Sequence, residues 1–255
     1  MGKETIIGIL GAMAEEVSGI VALLTKKQEH TIGMRTYYEG KINGVKAIVV
    51  FSRWGKVAAA TTVSTLILKF KVSEIIFTGV AGAISSELNI GDIVIGKRLI
   101  QHDLDGRPLL QQYEIPLLHM TYISAEEHQI SNAKQAVEKL LDMRTFHTII
   151  SADTLKALNI FHPHLVIGDI ASGDQFFGKT SAKNDLLNRL PTTLCVEMEG
   201  AAVAQVCYEY KIPFTIIRTI SDSADEKSHT DFAVFLEKVF YTYSIEIIKN
   251  IFEQK

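Results

Sequence analysis

The chain has 255 residues, 47% hydrophobic and 22% charged, with a formal net charge of -3 from 26 basic and 29 acidic side chains. That balance fits a folded globule with one large core and excludes a largely disordered chain; no long block of one charge sign draws it toward nucleic acid or anionic lipid. No apolar run reaches the roughly 20 residues needed to span a bilayer, and the N-terminal segment lacks the pattern of a secretory leader, so the expected address is the cytoplasm.

Thr5 to Leu10 (TIIGIL) is a β-branched run closed by Gly11, and apolar residues then recur at helical spacing from Met13 to Leu24, which predicts a strand, a tight turn and a helix. Arg35 to Lys41 and Val45 to Ser52 read as two strands joined by Asn43-Gly44, a dipeptide suited to the positive φ of a two-residue hairpin. Lys56 to Phe70 is predicted as helix, Glu74 to Gly79 as a buried strand, and Asp92 to Gly96 as a further strand after Gly91. From His102 to Met120 the periodicity fails and two prolines interrupt, as in the irregular excursions that build lids or interfaces. A helix is expected over Ala125 to Leu141 and strands over Phe146 to Ser151, His164 to Ser172 and Leu194 to Glu197. A helix over Met198 to Tyr210, a strand over Phe214 to Ile220 and a last helix from about Asp231 to Phe252 complete the chain. Strands separated by helices, with one hairpin among them, predict an α/β fold: a single domain over residues 1–255 with a central mixed, mainly parallel sheet covered by helices on both faces, a three-layer α-β-α sandwich.

In such sheets ligands collect beyond the C-terminal ends of the strands. Four turns there stand out. GAMAEEV follows the first strand and places Glu16 in the first turns of a helix; TGVAGAI holds Gly79 and Gly82, where backbone amides can approach a ligand closely. VEMEGAAVA sets Glu197 and Glu199 on either side of Met198 at a helix start, where an acid can equally serve the helix dipole. RTISDSAD carries Arg218, Ser221 and Asp222 off the end of a strand, with an N-capping role open to Asp222 or Asp225. Cys195 and Cys207 lie in apolar stretches and read as reduced core residues. His162 and His164 have no acidic or thiol partners at zinc-like spacing, so no metal site is expected.

Taken in order, IGILGAMAEEV, WGKVAAA, TGVAGAI with GDIV, SGDQF, VEMEGAAVAQVC, and RTISDSAD with SHTDF span residues 6 to 232. This set resembles the nucleoside phosphorylase and nucleosidase superfamily, and within it the 5′-methylthioadenosine/S-adenosylhomocysteine nucleosidases. The resemblance implies a cofactor-free hydrolase of adenine nucleosides, acting as a homodimer in nucleoside catabolism. It makes Glu16 the base for the attacking water, Asp222 the acid at adenine N7, Glu199 the acceptor for the ribose hydroxyls and Arg218 a residue that orders the water. By the same resemblance Met198 and Phe232 pack on the sugar, Phe176 stacks on adenine, the Phe177 backbone reads the purine edge, and Gly82, Ser221, Met13 and Val80 complete the pocket. Two positions depart from the pattern: Val80 stands where some relatives carry serine, leaving only backbone contacts, and Trp54 replaces a smaller aliphatic residue beside the sugar. The 102–120 excursion also matches poorly, which leaves the 5′ substituent open among methylthioadenosine, adenosylhomocysteine, 5′-deoxyadenosine and a futalosine-type nucleoside.

Two rivals share the architecture. A purine nucleoside phosphorylase would need cationic and amide donors for phosphate, but the first turn offers Ala12, Met13 and Ala14 beside two glutamates and no arginine. A non-catalytic nucleoside-binding or storage protein is the other, since fold alone does not establish chemistry.

Overall fold

The computed structural model describes residues 4–142, 146, 148–226, 228, 232 and 235–255. Its strands are β1 (Ile6–Gly11), β2 (Thr25–Ile32), β3 (Arg35–Ile42), β4 (Val45–Phe51), β5 (Glu74–Ala83), β6 (Ile93–Gln101), β7 (Tyr122–Ser124), β8 (Leu165–Ser172), β9 (Thr193–Glu197) and β10 (Phe214–Asp222). Between them lie α1 (Ala14–Ala22), α2 (Lys56–Phe70), α3 (Glu127–Leu141), α4 (Ala152–Ala157), α5 (Thr180–Arg189) and α6 (Gly200–Tyr210); a π-helical turn over Leu236–Phe240 leads into α7 (Tyr241–Phe252).

The sheet is mixed and continuous. β1 lies between β4 and β5, parallel to both, and β5 continues in parallel to β10. β10 meets β6 antiparallel; β6, β8 and β9 then run parallel, and the end of β9 returns antiparallel to the end of β5 through Gly82↔Val196 and Ala83↔Cys195. Five strands thereby close into a ring, from which β1, β4, β3 and β2 extend as an open wing. β1 and β10 are buried at every position, as expected of strands covered on both faces. Helices α1, α3 and α7 pack together, and α2 packs on α6, giving helical layers on the sheet. Cys195 and Cys207 are free thiols in the core.

Helix α2 and the β3–β4 hairpin occupy the residues expected from sequence. One expected strand is a misreading: Phe146, Thr148 and Ile149 are helical, not extended. Phe146 and Ile150 are both buried, and apolar residues at i, i+3 and i+4 suit a helical face as well as they suit a short strand. The 102–120 excursion is irregular, with an isolated bridge between Ile115 and Met120. Asp231, where the last helix was expected to begin, lies outside the described residues. Among the described residues no helix is long and apolar enough to cross a membrane.

Candidate active site

The C-terminal ends of β1, β5, β9 and β10 converge, and the chemistry begins with how each end is capped. Met13 is the N-cap of α1 and offers no side-chain hydrogen bond. Glu16, three residues on, turns back instead: one carboxyl oxygen accepts the Ala12 and Met13 N–H groups, the latter at 2.9 Å, and the other accepts the Val80 N–H from β5 at 3.3 Å. This satisfies amides a helix start leaves open and fixes a carboxyl that is only 2% exposed. Burial raises its pKa from 4.5 to about 7, against the pull of Arg218 and the three N–H donors.

The two acids of the VEMEG turn divide their work. Glu197 serves the start of α6, accepting the Glu199 N–H at 3.1 Å and the Gly200 N–H at 2.8 Å; the Ser172 hydroxyl donates to Glu197 and itself accepts the Ala201 N–H at 2.7 Å. Glu199 is therefore free of capping duty, and its Oε1 accepts the Gly55 N–H at 2.8 Å. Burial first, and then the neighbouring Glu197, raise the Glu199 pKa to about 8.

Arg218 is 1% exposed and faces Glu197, donating through Nη2 at 2.7 Å and Nε at 3.2 Å, while Nη1 donates to the Phe77 and Ile217 carbonyls. Its guanidinium also lies 4.0 Å from the Phe77 ring centroid. At the end of the same strand Asp222 accepts the Ala224 N–H at 2.9 Å and the Ser221 hydroxyl at 2.8 Å. Burial raises the Asp222 pKa against those donors. A Cβ at Gly82 would come within 2.9 Å of Asp222 Oδ1, so the glycine lets β5 and this carboxyl lie in contact.

These groups open on one cavity of about 470 Å³, lined by Ala12, Met13, Glu16, Trp54, Val80, Ala81, Gly82, Gln175, Phe176, Phe177, Val196, Glu197, Met198, Glu199, Ser221, Asp222 and Phe232. Phe176 and Phe232 meet edge to face across it, with centroids 6.2 Å apart. Its lining is mainly apolar with convergent carboxyls, the make-up of a small-molecule site.

A family model described as the phosphorylase superfamily matches residues 6–248. The chain belongs to the phosphorylase superfamily. A 5′-methylthioadenosine/S-adenosylhomocysteine nucleosidase of Psychromonas ingrahamii is 34% identical, covering 96% of this chain and 99% of that protein. An aminodeoxyfutalosine nucleosidase of Helicobacter pylori is 35% identical, covering 97% of this chain and 98% of that one. Among solved structures, S-adenosylhomocysteine nucleosidase from Streptococcus pyogenes in complex with 5-methylthiotubericidin superposes with a TM-score of 0.84 at 32% identity, covering 100% of this chain and 98% of that one.

Of the site residues read from sequence in this superfamily member, Glu16, Asp222, Gly82, Phe176, Phe177, Met198, Glu199, Ser221, Phe232, Met13 and Val80 all line the cavity. Val80 contributes through its backbone, as its side chain requires. Arg218 stands behind the cavity lining, its guanidinium paired with Glu197. It still acts on Glu16 through its charge, because the space beside Gly79 lies 3.0 Å from Glu16 Oε1 and 3.3 Å from Arg218 Nη1. The sequence offered Glu197 a place at the helix dipole, which its hold on the Glu199 and Gly200 N–H groups fits, but its pairing with Arg218 and the part of Gly55 were overlooked. An acid at the last position of a buried strand, two residues before another acid, was the available signal for the first; a glycine immediately before an uncapped helix was the signal for the second.

Proposed function

We propose that the protein hydrolyses the N-ribosidic bond of 5′-methylthioadenosine and S-adenosylhomocysteine, releasing adenine and the 5′-thio-ribose. The observation that carries this reading is the opening of Glu16, Glu199 and Asp222, from three distant parts of the chain, on a single cavity. Cleavage of such a bond passes through a cationic sugar and needs charge drawn onto the leaving base. Asp222, whose pKa burial raises, donates to adenine N7 as the bond to the sugar lengthens. Glu199 accepts hydrogen bonds from the ribose 2′- and 3′-hydroxyls and, in its ionised form, favours positive charge on the ring. Glu16, poised at about 7, takes a proton from the water that attacks the anomeric carbon. Phe176 stacks on the purine, the Phe177 backbone meets its edge, and Met198 and Phe232 pack on the sugar.

Hydrolysis is favoured over phosphorolysis because the Ala12 and Met13 amides, the donors a helix start would offer to phosphate, are already held by the Glu16 carboxyl. The whole of residues 1–255 serves as one nucleosidase domain, in the cytoplasm and as a homodimer whose mass in solution reads the pairing directly. 5′-Deoxyadenosine and futalosine-type nucleosides share the same reacting centre. The deciding assay is adenine release from methylthioadenosine in phosphate-free buffer: full turnover there is expected, and strict dependence on added phosphate would overturn the hydrolytic assignment.

A further inference from the structure

Helix α2 begins without a cap of its own. Gly55, its N-cap, has no side chain and sits at φ 90°, a conformation side-chain-bearing residues rarely adopt. The Lys56 N–H, first in the helix, is satisfied from a segment 118 residues away, donating to Asp174 Oδ1 at 2.9 Å. A Cβ on Gly55 would stand 3.0 Å from that same oxygen. The adjacent N–H, that of Gly55, donates to Glu199 Oε1 at 2.8 Å. Two successive amides of one turn are thus held by two carboxylates, one from outside the cavity and one within it. Asp174 is anchored in its turn: its own N–H donates to Asp103 Oδ2 at 2.9 Å, and Asp103 Oδ1 takes the Lys56 ammonium at 2.5 Å.

We infer that Asp174 is a positioning residue, whose hold on the Lys56 N–H aims the Gly55 N–H at Glu199 and so fixes that carboxyl for the ribose diol. The inference rests on the nucleosidase reading, which gives Glu199 the diol. Asp174 is exposed and does not line the cavity, so its effect reaches a ligand through the turn alone. Loss of the Asp174 acceptor frees one of the turn's two amide tethers, and Glu199 then has to be ordered by the ligand itself. The penalty falls only on ligands that carry the hydroxyls.

The test is binding by calorimetry, with an uncleavable 5′-thio-substituted C-nucleoside analogue of adenosine and its 2′,3′-dideoxy form as probes. Asp174→Ala is expected to weaken the diol form by about tenfold or more, the size of one charge-assisted hydrogen bond, and to leave the dideoxy form within about twofold. Asp174→Asn keeps an acceptor oxygen and is expected to restore most of the loss. Equal weakening of both probes, or no weakening of either, would overturn the inference while leaving the nucleosidase reading intact. Wild-type protein that bound neither probe would instead remove the nucleosidase reading and this inference with it.

Discussion

Replacing Glu16 by glutamine keeps the shape of the side chain and removes its ionisation, and the structure sets opposite signs for the effect at low and high pH. The buried carboxyl titrates at about 7 against an ordinary 4.5, a gap equivalent to roughly 3 kcal/mol at about 1.4 kcal/mol per pH unit. Below about pH 4.5 the group is neutral in both the folded and the unfolded chain, and its full contribution to stability is present. As pH rises toward 7 the unfolded chain ionises first, and the wild type loses that stability progressively. Glutamine escapes this loss, but it must leave its oxygen to the Ala12 and Met13 amides and turn its NH2 toward the Val80 N–H, which lies 3.3 Å from Oε1. That mismatch costs about 1 kcal/mol at every pH. Glu16→Gln should therefore be more stable than wild type by about 2 kcal/mol near pH 8.5 and less stable by about 1 kcal/mol at pH 4, as read by urea denaturation. Its kcat/KM should fall about 10²- to 10⁴-fold, and the acid limb near pH 7 should vanish from the residual profile. A stability difference of the same sign at both pH values would refute the account of burial, and an acid limb that survived in the variant would remove Glu16 as the base.

Asp222→Asn can still donate a hydrogen bond to adenine N7 but cannot give up a proton, so kcat should fall about 10²- to 10⁴-fold with a smaller change in KM; adenine release at the wild-type rate would remove Asp222 from the acid role. Arg218→Met strands Glu197 in a site where it is only 7% exposed, with an expected loss of about 3–5 kcal/mol in urea denaturation. Arg218→Lys should recover part of this, since it restores the charge without the two-pronged contact. A loss under about 1 kcal/mol in Arg218→Met would mean that the Ser172 hydroxyl and the α6 amides hold Glu197 unaided.

The parallel strands were legible because β1 and β10 are continuous apolar runs, and α2 because its apolar face repeats with a helical period and ends before a left-handed Lys71. Strand β2 was not legible: it is the edge of the wing, exposed along nearly its whole length, and its sequence TKKQEHTI has no buried face to alternate. Helix α5 escaped for a similar reason, with Leu186 its one fully buried side chain among the described residues. At the site, carboxyls and glycines placed just after apolar runs could be found from sequence, because strand ends are where a sheet of this kind binds. The partner of Arg218 could not. Its strand position was evident, but which carboxyl faced it depended on how β9 approaches β10 in space. Gly55 was hidden because it works through its N–H: the glycine marks the φ 90° turn but does not name the carboxyl that the N–H meets.

The ring closure explains why these acids meet at all. In an open sheet β9 and β5 would each end apart, with Glu197 and Glu199 facing one crevice and Glu16 another. The short antiparallel join at Gly82↔Val196 and Ala83↔Cys195, extended by the Ile84 and Ser85 N–H groups on the Leu194 carbonyl, brings the end of β9 against the end of β5. Val80, whose N–H holds Glu16, is therefore only a few residues along the same strand from the join. So many carboxyls in one buried space would repel one another if all were ionised. Arg218 pairs with Glu197, and burial holds protons on Glu16, Glu199 and Asp222 to higher pH. The same burial that costs stability at Glu16 raises the pKa of Asp222, so one feature of the fold favours the protonated form of both carboxyls.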